Sequence, residues 1–136
     1  MTFGYRKITG AKSVLELIRY APLRNVCVIG GAGKLLKHFI RTYNPEKLIS
    51  YADRRFSLGD LYYQLGFKLK HISKPNYWYF PKSDPMDIKS RISFQKHKLS
   101  KKLPNFNIKK TEWENMQING YDRIWDCGNY VFEYKK

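Results

Sequence analysis

A glycine-rich turn is the first place in the sequence where chemistry could be done. The run NVCVIGGAGKLLKHF places this turn between an apolar segment and a basic helical segment. Glycines at a helix start leave backbone N–H groups free to bind phosphate oxygens, and a lysine adds a cation. The residues are Gly30, Gly31, Ala32, Gly33 and Lys34. The turn therefore predicts either a phosphate-binding loop or a tight strand-to-helix connection without a ligand.

Carboxylates offer a second kind of chemistry. Asp53 follows an apolar segment, and it would serve in catalysis only if it faces a cleft; otherwise it caps the next helix or pairs with Arg54. Asp84 and Asp87 flank a proline, and no strand bearing Glu-x-Lys follows them. The two cysteines and three histidines lack the spacing of a zinc site. We therefore expect no metal site and no nuclease site in this chain.

The strongest signal is a basic segment that contains aromatic residues. Between Lys68 and Lys110 lie twelve Lys or Arg and two Asp. Such a segment is typical of proteins that contact phosphates with cations and stack bases on aromatic rings, and its alternative is an ordinary solvated face over a core. Strand alternation turns Tyr77 and Tyr79 to one side and Trp78 and Phe80 to the other. The predicted nucleic-acid contacts are Arg54, Arg55, Lys68, Lys70, Lys74, Tyr77, Tyr79, Lys82, Lys89, Arg91, Lys96, Lys98, Lys101 and Lys102.

Composition supports an anionic partner. Lys and Arg number 26 against 11 Asp and Glu, which gives a net charge of +15. A polyphosphate neutralises such a charge and releases its counterions, so we expect nucleic acid, DNA more than RNA. The sequence has no membrane-spanning apolar run, lipidation site or signal peptide, which predicts no membrane and a bacterial cytoplasmic location. We expect Cys27 and Cys127 to be reduced and largely buried.

The coarse pattern of elements predicts a β-α-β-α-β order and hence an α/β fold with parallel neighbouring strands. Ser13–Ala21 suits either a helix or a strand. Strands are predicted at 25–29, 48–52, 67–72 and 77–80, and helices at 34–43 and 57–65, the first stopped by Asn44-Pro45 and the second capped by Gly66. Thr111 and Glu114 have the capping-box spacing, Asn119-Gly120 predicts a turn, and two strands about Gly128 predict a hairpin.

Length predicts a single domain covering residues 1–136. Within it we expect an α/β core over residues 1–80, a basic segment over 81–110, and a C-terminal helix and hairpin over 111–136.

The run VIGGAGKLLKHF, followed by a strand and LYYQLGF, resembles the GNAT N-acetyltransferase superfamily. This resemblance implies a GNAT-like mixed sheet with flanking helices, short at its N-terminus and followed by a basic C-terminal extension. It also implies that Gly30 to Lys34 hold the pyrophosphate of coenzyme A and that Tyr62 is the general acid; the alternative for Tyr62 is packing of a helix on the sheet. Cys27 stands where GNAT enzymes usually carry Arg or Gln, which predicts weak coenzyme binding or none.

Longer segments resemble a domain of phage proteins. They are VIGGAGKLLKHFIRTYNPEKLISYADRRFSLGDLYYQLGF, KPNYWYF and GYDRIWDCGN, and in phage proteins such a domain follows a Vsr-like nuclease domain of homing-endonuclease type. The SYAD stretch and Tyr62 also resemble the phage Mu Mom family, which modifies adenine in phage DNA. The resemblance implies a C-terminal module standing alone, without the nuclease.

The sequence favours one function over two others. The first hypothesis is a phage-type GNAT-like module that binds DNA for a homing-endonuclease or DNA-modification system, with no cofactor and no hydrolytic activity of its own. The second is a Mom-like or GNAT acyltransferase that uses a coenzyme A-type cofactor, Tyr62 and Asp53 on a nucleobase or a protein. The third is a phage anti-defence protein of the anti-CRISPR kind. A separate nuclease or a host-defence protein is the further partner these hypotheses imply.

Overall fold

The computed structural model describes residues 1–6 and 14–136. The chain divides into two compact units, which we call the main unit (Met1–Lys74 and Gly128–Lys136) and the inserted unit (Pro75–Cys127). These boundaries differ from the expected division at residues 80 and 110, because the last strand of the chain returns to the sheet of the main unit. Each unit has its own hydrophobic core.

The elements of the main unit begin with two short strands and end with the last strand of the chain. In chain order the described residues of both units form β1 (Thr2–Arg6), β2 (Val14–Arg19), α1 (Gly31–Tyr43), β3 (Lys47–Asp53), α2 (Asp60–Gln64), β4 (Lys68–Ile72), β5 (Tyr77–Pro81), β6 (Lys89–Ser90), a 3-10 helix (Arg91–Phe94), α3 (Lys96–Leu99), α4 (Glu112–Ile118), β7 (Tyr121–Trp125) and β8 (Asn129–Lys135). The segment left open between helix and strand therefore contains β2; Tyr20 and Ala21 follow the strand, and Ser13 lies outside the described residues.

The main unit has a five-stranded mixed sheet in the order β1-β2-β3-β8-β4. Strands β2 and β3 are parallel and joined through α1, while the other neighbours are antiparallel. The fold is therefore mixed α/β, as the sequence predicted at this level. Among the described residues, the parallel ladder covers the pairs Leu15–Leu48 and Glu16–Ile49, and β2 and β3 are not paired with each other beyond Glu16 and Ile49.

Both helices of the main unit supply apolar side chains to one core. Leu36 of α1 packs with Leu48 and Ala52 of β3, and with Phe132 of β8. Tyr62 and Leu65, from α2 and the turn after it, add to the same cluster. Because Leu48 and Ala52 lie two pleats apart on one side of β3, the helices cover that face of the sheet. The cap residues were predicted correctly: Asn44 and Gly66 have φ of 43° and 84°.

The inserted unit is a three-stranded antiparallel sheet, in the order β6-β5-β7, with short helices. Its core consists of Tyr79, Phe94, Leu99, Leu103 and Met116. Helix α4 begins with the predicted capping box, in which the Thr111 hydroxyl accepts from the N–H of Glu114 and the Glu114 carboxylate accepts from the N–H of Thr111.

Two predicted elements are wrong. Residues 25–29 form an exposed loop rather than a strand, because Asn25 adopts a left-handed φ of 64° in a turn closed by a bond from the N–H of Val26 to the carbonyl of Leu23. The predicted hairpin about Gly128 does not form either. Its two strands exist, but β7 pairs with β5, and β8 pairs with β3 and β4, because more distant strands offer better partners.

The chain leaves and re-enters the main unit at one place. Just inside that unit, the N–H of Ser73 donates to the carbonyl of Asn129 (2.9 Å) and the N–H of Asn129 donates to Oγ of Ser73 (2.8 Å). Just inside the inserted unit, the N–H of Asp126 donates to the carbonyl of Asn76 (2.8 Å), and Asp126 Oδ1 accepts from the N–H of Asn76 (2.8 Å).

The cysteines were placed wrongly from the sequence. Cys27 and Cys127 are both exposed, because each lies in a loop rather than in a strand. Over the described ranges 1–6 and 14–136, no helix combines the length and apolar character needed to cross a bilayer.

Candidate functional site

The glycine turn connects an exposed loop directly to α1. Gly30 has a left-handed φ of 71° and accepts, through its carbonyl, the N–H of Lys34 at 3.0 Å. The N–H of Gly31 donates to the carbonyl of Val28 at 3.0 Å, so this N–H is already occupied. Gly31 is buried, and a Cβ on it would lie 2.9 Å from the side chain of Val28. The turn is therefore built by close packing, with Lys34 exposed beside it.

An open hollow of about 610 Å³ lies in front of this turn. The lining is mainly apolar and comes from the loop after β2, the start of α1 and the helix α2: Tyr20, Pro22, Val26, Cys27, Val28, Ile29, Gly30, Gly31, Ala32, Gly33, Leu61, Gln64 and Leu65. Beside the end of the parallel ladder, Oγ of buried Ser50 donates to the carbonyl of Leu17 at 2.7 Å and satisfies one backbone group there.

Tyr62 has a packing role in the structure. Its ring stacks on Phe132 at 4.9 Å and meets Phe67 edge-on at 5.7 Å, both measured between ring centroids. Its hydroxyl donates to the carbonyl of Tyr51 at 3.3 Å. Among the described residues it is not one of those that line the hollow. The geometry therefore favours helix packing over the acid role that the resemblance implied.

Asp53 lies at the end of β3 and is held by Arg55 rather than by Arg54. Its carboxylate accepts from the Arg55 guanidinium (2.6 Å) and from the backbone N–H of Arg55 (2.9 Å). These bonds, the side-chain bond most of all, hold the pKa of Asp53 below its ordinary value. A carboxylate with a lowered pKa is a weaker base, which is opposite to what a general base needs. Arg54 has its guanidinium 5.5 Å from the ring centroid of Tyr130.

Several of the predicted phosphate contacts of the inserted unit are engaged in internal interactions. Lys89 pairs with Asp87 at 2.9 Å, and this hydrogen bond is the main cause that raises the pKa of Lys89. The ammonium of Lys98 donates to the carbonyl of Ile92 at 2.9 Å. Lys102 lies 5.2 Å from the ring centroid of Phe94, while remaining exposed. The other exposed lysines predicted here are Lys82, Lys96 and Lys101.

The tyrosines predicted to stack bases lie on the core side of β5. Tyr79 is completely buried, and Tyr77 is half-buried beside it, with 5.4 Å between the ring centroids. Both hydroxyls donate to the same Glu112 oxygen at 2.9 Å. Burial, followed by the bond to Glu112, raises the pKa of Tyr79. Because its ring is inaccessible, Tyr79 cannot stack a base, and the predicted role is wrong for this residue.

The main unit gathers lysines around one carboxylate. Glu133 of β8 is ion-paired to Lys47 of β3, with Lys70 and Lys135 at 3.6 and 3.5 Å from its oxygens. Lys68 lies opposite Glu133 in the β4–β8 register. Together with Lys70, Lys135 and Glu133 it lines a second hollow, of about 290 Å³. We call these five residues the Glu133 cluster. The hydrogen bond from Lys47 holds the pKa of Glu133 below its ordinary value.

The Glu133 cluster combines predicted and unpredicted residues. Lys68 and Lys70 were predicted, while Lys47 and Lys135 were missed, because each lies alone between non-basic neighbours or at the chain end. The register Lys47↔Lys135 brings them together. Lys74, also predicted, is exposed after β4.

Within the described residues, no group of three or more His, Cys, Asp or Glu side chains is arranged to hold a metal ion. No known protein family matches the chain, and neither a curated protein nor a solved structure is significantly similar to it.

Proposed function

We propose that the main unit binds the phosphate backbone of nucleic acid, DNA in preference to RNA, at the Glu133 cluster. The observation that carries this proposal is the excess of ammonium groups at that place. Three lysines are ion-paired to one carboxylate and Lys68 lines the hollow beside it, so the cluster has four positive charges and one negative charge. Like charges brought together on a sheet repel, and an anion that bridges them removes this cost.

The charge of the whole unit supports the same proposal. The residues of the main unit include sixteen Lys and Arg against five Asp and Glu, a net charge of +11. Lys70 and Lys135 have side chains that are 47% and 70% exposed, so their ammonium groups are accessible to a ligand. In the proposal, exposed Lys82, Lys96, Lys101 and Lys102 of the inserted unit provide further contacts.

Salt dependence tests the proposal. If about six phosphates are contacted, log affinity against log salt should have a slope of about −5 on duplex DNA. Replacing Lys68 and Lys135 by Gln should reduce the magnitude of that slope by about 2. It should weaken binding to all DNA sequences alike, since phosphate contacts carry no base information.

The matched control replaces Lys109 and Lys110 by Gln, which changes the net charge by the same amount outside the cluster. Fluorescence anisotropy with a labelled duplex, at several salt concentrations, measures the affinity of both double variants. Equal slopes for the two double variants, or an affinity that does not change with salt, would contradict the proposal. A matched RNA duplex shows which nucleic acid binds more tightly.

We further propose that the main unit is GNAT-like and that the protein serves a phage homing-endonuclease or DNA-modification system. The parallel strands whose pairing ends at Glu16, the helix that joins them and the glycine turn at the start of that helix support the proposed fold. A separate nuclease or a host-defence protein is the partner in this proposal. Pull-down of the tagged protein from phage-infected cells tests it, and recovery of neither kind of partner would count against it.

A second candidate is a coenzyme A-type ligand in the hollow at the glycine turn. The hollow and the end of β2–β3 pairing at Glu16 favour it, because a gap between two parallel strands admits a pantetheine arm. Cys27 stands where GNAT enzymes usually carry Arg or Gln. One lost charge-assisted phosphate contact costs about 1.5–3 kcal/mol, so coenzyme binding should be weak. Calorimetry with acetyl-coenzyme A measures the affinity.

Thiol labelling makes this second test specific to the hollow. Cys27 lines it, whereas Cys127 belongs to the other unit. Acetyl-coenzyme A at high concentration should slow the reaction of a maleimide with Cys27 and leave Cys127 unaffected. If neither heat nor protection is detected, the coenzyme candidate is wrong. If a tight complex forms and Tyr62→Phe then abolishes acetyl transfer, the enzyme hypothesis takes first place.

A further inference from the structure

The inserted unit contains an arginine surrounded by aromatic rings. The guanidinium carbon of Arg123 lies 4.3 Å from the ring centroid of Trp113, and 5.2 Å from those of Tyr77 and Trp125. Arg91 lies over the ring of Tyr77 at 4.7 Å. We call these five residues the Arg123 cluster. Planar guanidinium groups stack on aromatic faces, which fixes both groups in position.

The strand register and one carboxylate hold this cluster in place. Tyr77 pairs with Trp125 across β5 and β7, and their ring centroids are 4.7 Å apart. The Tyr77 hydroxyl donates to Glu112 of α4, and Arg91 lies 3.7 Å from the same carboxylate oxygen. The rings therefore have defined orientations before any ligand arrives.

Part of the cluster is accessible. Trp125 is 50% exposed although Tyr77 and Arg123 contact it, and the Arg91 side chain is 48% exposed. A fixed, half-exposed indole with one guanidinium beside it and a second over the neighbouring tyrosine suits a flat aromatic ligand that also carries negative charge. An unpaired nucleotide has both properties, since its base can stack on the indole and its phosphate can bind a guanidinium.

We propose that Trp125 stacks an unpaired base of single-stranded nucleic acid while Arg91 and Arg123 bind the phosphates beside that base. This inference rests on the proposed nucleic-acid function and extends it to the inserted unit. It replaces the stacking role expected for Tyr77 and Tyr79, which face the core. A duplex keeps its bases stacked inside, so it cannot use Trp125 in this way.

The test compares two tryptophans on opposite faces of one sheet. Trp125→Leu removes the proposed platform, and Trp78→Leu removes a similarly exposed ring (40%) that alternation turns to the other face. The ligands are a labelled oligothymidine of ~12 nucleotides, near the site size of such proteins, and an abasic strand of the same length and charge.

We expect Trp125→Leu to weaken oligothymidine binding by about 5- to 150-fold, the equivalent of ~1–3 kcal/mol for one stacked base. Binding of the abasic strand and of duplex DNA should not change. Trp78→Leu should bind every ligand as the unchanged protein does, and Trp125→Phe, which keeps a ring, should retain most of the affinity. Melting followed by circular dichroism verifies that each variant is folded.

The outcomes separate the two proposals. If Trp125→Leu binds oligothymidine normally, or if both tryptophan variants lose affinity equally, the stacking inference is overturned while salt-dependent duplex binding can still hold. An equal loss on the abasic strand overturns it as well, because that loss would involve charge alone. If the unchanged protein binds no nucleic acid at low salt, both proposals are wrong.

Discussion

The main unit carries sixteen Lys and Arg against five Asp and Glu, whereas the inserted unit carries ten against six. In the inserted unit many charges have internal partners. Lys89 pairs with Asp87, and the ammonium of Lys98 donates to the carbonyl of Ile92. In the main unit, the four lysines of the Glu133 cluster have one carboxylate among them.

The comparison shows why a count of charge along the sequence locates a ligand surface poorly. Residues 68–110 have the densest run of cations, yet the larger net charge belongs to the unit that also contains the two ends of the chain. A cation that already has a counter-charge or a carbonyl partner gives up that interaction when it binds a phosphate. A cation without one does not have this cost.

The comparison assumes that the two cores are separate, and a core truncation tests this most strongly. Phe132→Ala removes a fully buried ring that stacks on Tyr62, and such changes cost about 3–5 kcal/mol. All three tryptophans lie in the inserted unit, so their fluorescence reports on that unit alone. The circular-dichroism transition of the main unit should shift down while the fluorescence transition keeps its midpoint. If the two transitions move together, the units unfold as one and the comparison is incorrect.

Replacing a buried polar side chain of the inserted unit should show the reverse pattern, in which the fluorescence transition shifts. Asn115 is fully buried in the inserted unit, where its amide donates to the carbonyls of Asn107 and Thr111 and its Oδ1 accepts from the N–H of Asn107. Asn115→Leu should lower the free energy of unfolding by about 1–3 kcal/mol, because these groups lose their partner. Denaturant titration followed by tryptophan fluorescence measures this. Full stability of Asn115→Leu would contradict the expected role of these bonds.

Removing the capping box should have a smaller effect on stability, and this effect should depend on pH. Thr111→Ala should cost the inserted unit about 1 kcal/mol at neutral pH. Bonds from the backbone N–H and then the hydroxyl of Thr111 lower the pKa of Glu114 below 4.5. Stability from a lowered pKa is present above the unfolded value and is lost as pH falls through the native value. The difference in unfolding free energy between the unchanged protein and Thr111→Ala should therefore shrink below about pH 4.5. Denaturant titrations at several pH values measure it, and a difference that stays constant would contradict this expectation.

The smallest effect concerns ligand binding in the main unit. Glu133→Gln removes the one carboxylate among the lysines, so DNA affinity should rise roughly threefold, the Coulomb energy of one charge at about 6 Å in water. Asp60→Asn changes the net charge equally at an exposed position in the first turn of α2, outside the cluster. Anisotropy titrations compare the two variants, and an equal gain for both would mean that the cluster has no special role.

Local signals predicted much of the secondary structure. The capping box at Thr111, the left-handed Gly66 and the stop at Asn44 depend on neighbouring residues only, and the structure contains all three. Residues 25–29 form a loop instead of the predicted strand, because four apolar residues in a row do not reveal whether a neighbouring strand exists to pair with them. The hairpin about Gly128 is wrong for the same reason, since β8 pairs with strands that lie far away in sequence.

The candidate sites were less predictable than the elements. Alternation in YWYF correctly separated Tyr79 from Trp78, but it could not tell which face joins the core. Lys47 and Lys135 become neighbours only through the β3–β8 register, which the sequence does not state. The Arg123 cluster requires β5, β7 and α4 at once, and no pattern within any one of them identifies it.

The bonds that join Ser73 to Asn129 have a consequence for protein engineering. They close the main unit across the two points where the chain leaves and returns, so the inserted unit occupies the position of a loop between β4 and β8. A short turn could replace it, and so could a reporter domain whose termini lie about one strand spacing (~5 Å) apart. Gly128 must be kept in any such graft, because its φ is +74° and a Cβ would collide with the carbonyl oxygen of Ser73.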